Sequence, residues 1–243
     1  MALALAERGY DLAVHYAGSR DEAETTVAEI EAMGRKAVAV QADLLVEAEA
    51  ETLVARAATA LGGPLTLLVN NASIFEYDTL ASATRDSWDR HIGSNLRAPF
   101  VLMQRFAAQA PAALRDDAGE PVAQAMVVNM IDQRVFKLTP EFMTYTIAKM
   151  GLWALTRTAA QALAPDIRVN AIGPGPTLRG ARQSEKHFAD QRAATILERG
   201  ADPSDIVAAL RYFLEARSVT GQILCVDGGQ HLVWRTEDVL GVE

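Results

Sequence analysis

The chain has 243 residues, half of them hydrophobic and 22% charged, a balance that fits one large folded unit or two small ones and excludes bulk disorder. Its 31 acidic residues against 23 lysines and arginines leave a formal charge of −8 with no long basic run, which argues against nucleic acid or an anionic membrane as partner. A single cysteine, Cys225, excludes an intrachain disulfide and points to a cytoplasmic protein, and no apolar run approaches the ~20 residues of a membrane span.

In chain order, residues 2–7 read as the last part of a helix closed by Arg8 and Gly9. Residues 11–16 (DLAVHY) predict a strand, 21–33 a helix closed by Gly34, and 36–41 (KAVAVQ) a second strand. A helix over 46–61 runs into Gly62, Gly63 and Pro64, and the near-continuous apolar run 65–70 predicts a strand buried on both faces. One long helix is expected over 84–109, a polar surface loop over 111–121 and a strand over 125–129. A helix over 142–163 stops before Pro165, and a strand over 167–172 stops at Gly173-Pro174-Gly175-Pro176. Helices over 184–198 and 203–215 and a strand over 222–226 complete the pattern. Strands alternating with helices predict an α/β fold, a doubly wound parallel sheet of Rossmann type in a single domain over residues 1–243. Ligands of such sheets sit beyond the carboxyl ends of the strands. The Gly-rich turn that normally opens a dinucleotide fold is not found in the sequence, and Gly173-Pro174-Gly175 is a poor substitute because proline donates no backbone hydrogen bond.

Tyr145 and Lys149 stand four residues apart on the helix expected over 142–163, so they share one face. A nearby ammonium favours the phenolate and is expected to lower the tyrosine pKa toward working pH, making Tyr145 a proton donor or acceptor. Taken alone, the motif is weak and reads as a solvated helix face. Its surroundings narrow the reading: Asp132 lies thirteen residues before Tyr145, Asn70-Asn71-Ala72-Ser73 follows one strand, Asn95 sits in the long helix, Pro174-Gly175 follows another strand, and Asp227-Gly228-Gly229 closes the last.

Together these motifs resemble the short-chain dehydrogenase/reductase family over nearly the whole chain. The resemblance implies that Tyr145 is the general acid in reduction, that Lys149 holds the nicotinamide ribose and tunes Tyr145, and that Asn95 anchors a water relaying protons to the lysine. Asn71 and Ala72 are expected to line the cofactor and Asp43 to meet the adenine. Ile172, Pro174, Gly175 and Thr177 are expected to flank nicotinamide and pyrophosphate. For Asn95 the alternative is a helix-interior asparagine facing a loop, and for Asp43 a turn or cap residue. Relatives usually form homodimers or homotetramers through the helices at 84–109 and 142–163.

Two departures from the family pattern sharpen the expectation. Asp132 stands where serine is usual, and Ser73 where glycine is usual. Both are similar to the pteridine reductase and dihydromonapterin reductase branch, as are Phe75 and the ending Asp227-Gly228-Gly229-Gln230-His231-Leu232. A flat heteroaromatic ring can stack on Phe75, while Asp132 and Ser73 can meet its amino group and ring nitrogens. The expected substrate is therefore a pterin-like small molecule reduced at a C=N bond. Rivals are a generic carbonyl or alcohol oxidoreductase of the same family, and a non-catalytic protein in which the first strand and its Gly-rich turn are missing. For Asp132 the alternative is an Asx-turn, and for Phe75 a hydrophobic plug.

The end of the 11–16 strand carries His15-Tyr16-Ala17-Gly18-Ser19-Arg20 rather than an acidic residue. Ser19 and Arg20 can bind a 2′-phosphate, so the expected cofactor is NADPH/NADP; otherwise Ser19 merely caps the next helix. Residues 177–200 are expected to form a substrate lid whose charges, Arg179, Arg182, Lys186 and His187, either select a polar substrate or are solvated.

Overall fold

A computed structural model describes residues 1–180 and 183–234. Six of its strands are parallel: β1 (Leu12–Tyr16), β2 (Ala37–Gln41), β3 (Leu67–Asn70), β6 (Ala125–Met130), β7 (Ile167–Pro174) and β8 (Ile223–Val226). The helices are α1 (Ala2–Ala6), α2 (Arg20–Ala32), α3 (Glu47–Leu61), α4 (Arg85–Ile92), α5 (Ala98–Ala107), α6 (Met143–Leu163), α7 (Glu185–Ala193) and α8 (Pro203–Glu215). The fold is the expected α/β sandwich.

Alternation along β6 shows how the layers form. Met126, Val128 and Met130 pack with Leu5 of α1, Ile30 of α2 and Leu210 and Phe213 of α8. Ala125 and Val127 point the other way, onto Leu53 of α3, Leu102 and Phe106 of α5 and Ala160 of α6. A strand covered on both faces is expected to be largely apolar, and all six residues of β6 are buried, its one polar side chain, Asn129, being hydrogen bonded to Asn70 and Thr156.

The strands form two ladders, β1–β2 and β3–β6–β7–β8. Among the described residues, no strand hydrogen bonds to both β1 and β3. Packing joins what the ladders do not: Leu12 of β1 shares a core with Met126 of β6, while Val40 of β2 shares the opposite core with Val127.

Two expectations need correction. The helical run over 84–109 is not one helix: a π-helical turn, Gly93–Arg97, separates α4 from α5. Pro99 supplies the reason, because it has no N–H for the carbonyl of Asn95 and its ring crowds that oxygen, so the helix widens there. The polar loop at 111–121 folds into a short antiparallel hairpin, β4 (Leu114–Arg115) with β5 (Pro121–Val122).

Candidate active site

Tyr145 and Lys149 are buried one turn apart in α6, beside the end of β6. Asp132 caps the 3-10 turn Gln133–Val135. One carboxylate oxygen, Oδ1, accepts the Arg134 N–H at 2.8 Å, which is the Asx-turn reading. The other, Oδ2, accepts the Tyr145 hydroxyl at 3.0 Å. The Asx-turn reading of Asp132 is thus realised on Oδ1, while Oδ2 faces Tyr145.

The electrostatics differ from the expectation. Lys149 Nζ donates to the Met130 carbonyl at 2.9 Å and lies 5.6 Å from the centre of the Tyr145 ring, over its face rather than at its hydroxyl. Burial, followed by the charge and hydrogen bond of Asp132, pushes the Tyr145 pKa well above its ordinary 10. The expected lowering by Lys149 is thus corrected: Tyr145 is held in its protonated form, the form a proton donor needs. Burial also drives Asp132 upward, against the opposing pull of Arg134, Tyr145 and Lys149. Lys149 itself is pushed down from 10.5 to about 8, chiefly by burial, with Asp132 resisting.

The loop after β3 brings Ser73 and Phe75 to the same place. Both ends of the Asn95 amide close on Ile74: Oδ1 accepts its N–H at 3.0 Å and Nδ2 donates to its carbonyl at 2.8 Å. Asn95 sits in the π-helical turn and clamps a loop through its side chain, as the helix-interior alternative expects. On either side of Ile74, the Ser73 hydroxyl lowers the Tyr145 pKa slightly against the larger upward causes, and the Phe75 ring meets the Tyr145 ring edge-on at 4.7 Å.

Sequence reasoning missed two residues here. Phe142 stacks on Phe75 with ring centres 4.3 Å apart and planes 9° from parallel. It precedes α6 in the left-handed region, φ 54°, a conformation uncommon for a bulky residue. Arg134 lies over the Phe142 ring at 5.1 Å and carries positive charge toward Tyr145 and Asp132. The available signals were spacing alone, Phe142 three residues before Tyr145 and Arg134 two after Asp132.

Ser19, Arg20, Asp43, Asn71, Ala72, Gly175 and Thr177 follow carboxyl ends of parallel strands. Ser19 is the N-cap residue of α2, and no side-chain cap hydrogen bond is found there among the described residues. Arg20 opens α2, with Nε 2.7 Å from Glu24. Asp43 follows β2, and its Oδ1 accepts the Leu45 N–H at 2.9 Å, a turn role. Asn71 and Ala72 are exposed after β3. Ile172 is fully buried in β7, Pro174 ends that strand, and the Thr177 hydroxyl donates to the Gly175 carbonyl at 3.1 Å. A Cβ on Gly175 would lie 2.5 Å from that of Asp227, so only glycine leaves the strand ends this close. This bare backbone, with hydroxyl and amide groups along the strand ends, suits an extended dinucleotide.

Over the lid segment, α7 is shorter than expected, and Lys186 pairs with Asp190 at 2.6 Å while Arg179 donates to the Gln183 carbonyl at 3.1 Å. His187 is exposed, and Arg182 lies outside the described residues. The described lid charges fit the solvated reading. Arg192 does more: it bonds the carbonyls of Pro176 and Ala201 and the carboxylate of Asp202, fastening α7 to its flanks.

Residues 1–231 match the family model described as enoyl-(acyl carrier protein) reductase. The chain belongs to the short-chain dehydrogenase/reductase family. It is 32% identical over 237 residues to a 3-oxoacyl-(acyl-carrier-protein) reductase of Staphylococcus epidermidis, covering 96% of this chain and 93% of that protein. It is also 32% identical to a putative ketoacyl reductase of granaticin polyketide synthesis from Streptomyces violaceoruber, covering 96% and 91%. Among solved structures, FolM alternative dihydrofolate reductase 1 of Brucella canis, complexed with NADP, superimposes with a TM-score of 0.89 at 42% identity, covering 98% of this chain and 90% of that one. A short-chain dehydrogenase of Burkholderia cenocepacia in complex with NADP follows at TM-score 0.83 and 31% identity, covering 94% and 91%. The chain is therefore an oxidoreductase of this family, and its sheet is the family's α/β sheet.

Proposed function

We propose that this chain is an NADPH-dependent reductase of a pterin-type C=N bond, with Tyr145 as proton donor. The observation carrying this reading is the Tyr145 hydroxyl donating to Asp132, with Ser73 and the stacked Phe75–Phe142 pair beside it. Asp132 is the discriminating residue. A carboxylate only accepts hydrogen bonds, so it repels a substrate carbonyl oxygen but welcomes the amino and ring N–H groups of a pterin. The 42% identity to FolM dihydrofolate reductases supports the same substrate class.

When bound, NADPH supplies the hydride. Asn71, Ala72, Pro174, Gly175 and Thr177 would hold its nicotinamide half, Lys149 the adjoining ribose, Asp43 the adenine, and Ser19 and Arg20 its 2′-phosphate. As hydride reaches the substrate carbon, the new electron pair on nitrogen takes the proton of Tyr145, leaving an amine. Asp132 orients that hydroxyl, and the ammonium of Lys149 over the ring steadies the phenolate left behind.

The test is NADPH oxidation followed with 7,8-dihydrobiopterin and dihydrofolate against a ketone panel and an acetoacetyl thioester. Turnover of the pterins is expected, with Asp132→Ser shifting preference toward ketones. The 32% identity to ketoacyl reductases defines the opposite outcome: ketone or thioester turnover with none of the pterins would sink the pterin reading. We further propose homo-oligomers joined through α4, α5 and α6, whose exposed apolar residues include Trp88, Phe100, Ile147 and Met150; a monomer in sedimentation would refute this.

A further inference from the structure

The helix that carries Tyr145 begins without a cap of its own. Its N-cap residue is Phe142, which has no hydrogen-bonding side chain. A serine or aspartate there would cap the helix, but the stack on Phe75 would be lost. The cap comes instead from Asp78, a buried residue of the loop after β3. Its carbonyl accepts the Met143 N–H at 3.4 Å, and its carboxylate accepts both the Thr144 N–H, at 3.2 Å, and the Thr144 hydroxyl. Ser87 of α4 donates to the same carboxylate at 3.2 Å.

The protons in this network have only one arrangement. The Thr144 hydroxyl spends its hydrogen on Asp78, so its oxygen accepts from His91 Nδ1 at 2.6 Å. His91 Nε2 must then be bare, and it accepts the Glu76 N–H at 3.1 Å. A neutral, fully buried His91 thus ties the backbone one residue beyond Phe75 to the residue immediately before Tyr145. Its ring also lies edge-on to Tyr145, 6.0 Å between centres. The loop bearing Ser73 and Phe75 and the helix start bearing Phe142 and Tyr145 are bolted together at two points, Asp78 and His91.

We propose that Asp78, Thr144 and His91 are positioning residues that fix the Tyr145 hydroxyl relative to Ser73 and Phe75, so that proton donor and substrate plate move as one body. None of the three need touch substrate. Their effect is geometric, and near-attack geometry is sensitive: a displacement of about 1 Å costs a reaction on the order of a hundredfold.

The test compares Thr144→Val, which keeps shape and N–H but deletes the hydroxyl, with Thr144→Ser, which keeps the hydroxyl. NADPH oxidation is measured with 7,8-dihydrobiopterin and with an acetoacetyl thioester, alongside NADPH affinity. Thr144→Val is expected to lower kcat about tenfold or more, with KM and cofactor affinity little changed, and Thr144→Ser to restore kcat to within about threefold. Equal kcat in Thr144→Val and wild type would overturn the proposal, as would a serine variant as slow as the valine one. Hydrogen exchange of the free protein gives a second reading, also accessible in Asp78→Asn should the valine variant fold poorly. The amides of Glu76 and Thr144 are expected to lose protection together, and loss at Thr144 alone would refute the coupling. The proposal rests on Tyr145 being the proton donor, which Tyr145→Phe tests by itself. If that variant stays active, the functional reading falls; if it is dead while Thr144→Val is normal, only the positioning role does.

Discussion

Lys149 is the residue whose charge state lies nearest to ordinary working conditions. Burial brings it to about 8, so its ammonium is complete below that pH and lost above it. If the ammonium steadies the developing phenolate, kcat falls as pH rises through about 8. Lys149→Arg, charged at any working pH, should carry that limb to higher pH if the guanidinium fits. Stability should move the other way. Between the folded value of about 8 and the unfolded 10.5, the unfolded chain binds a proton that the folded one has released, so this group makes the fold more stable as pH rises. Cys225 opposes it above pH 9, since burial holds its thiol protonated up to about 12 while the unfolded thiol ionises. Denaturant midpoints of wild type and Lys149→Met, subtracted across this range, isolate the lysine, and a flat difference would contradict its burial as a cation. The nearness of Tyr145 and Lys149 was legible in the sequence because four-residue spacing puts them on one helix face, and the family resemblance added Asp132. The sign of the Tyr145 shift was not, because it depends on where the ammonium lies, over the ring and on the Met130 carbonyl.

At the scale of elements, strands read more faithfully than helices. β6 is a mostly apolar run buried on two faces, and a buried strand announces itself by composition; β3, expected to be buried likewise, has Leu67, Leu68 and Val69 only half-buried. The break between α4 and α5 did not, because a lone proline is compatible with a cap, a kink or a π turn, and tertiary packing decides among them. That break gives Asn95 its place facing Ile74. Phe142 was likewise invisible as a site residue, because its left-handed backbone, not its spacing, aims the ring at Phe75. Replacing Asn95 with alanine strips Ile74 of both partners, and the fold should lose about 1–3 kcal/mol in urea denaturation. Asn95→Asp keeps the acceptor for the Ile74 N–H and should lose less. Equal stability of Asn95→Ala and wild type would remove Asn95 as the clamp of this loop.

At the scale of the whole molecule, the sheet is two ladders held side by side by their helices. Among the described residues no hydrogen bond joins β1 to β3, and the two ladders meet through side-chain packing and helix ion pairs such as Arg97–Glu47 and Arg105–Glu51. Ser19, Arg20 and Asp43 stand on one ladder, and Asn71, Gly175 and Thr177 on the other. The dinucleotide proposed here would touch both. Because it binds only the assembled state, the melting temperature should rise with NADPH concentration, by an amount set by its affinity. A melting temperature indifferent to NADPH would argue against a site on both ladders. Such a ligand acts as a strap across an open seam. The free energy of binding would then appear partly as cohesion between the strands that carry the adenosine end and those that carry the nicotinamide end.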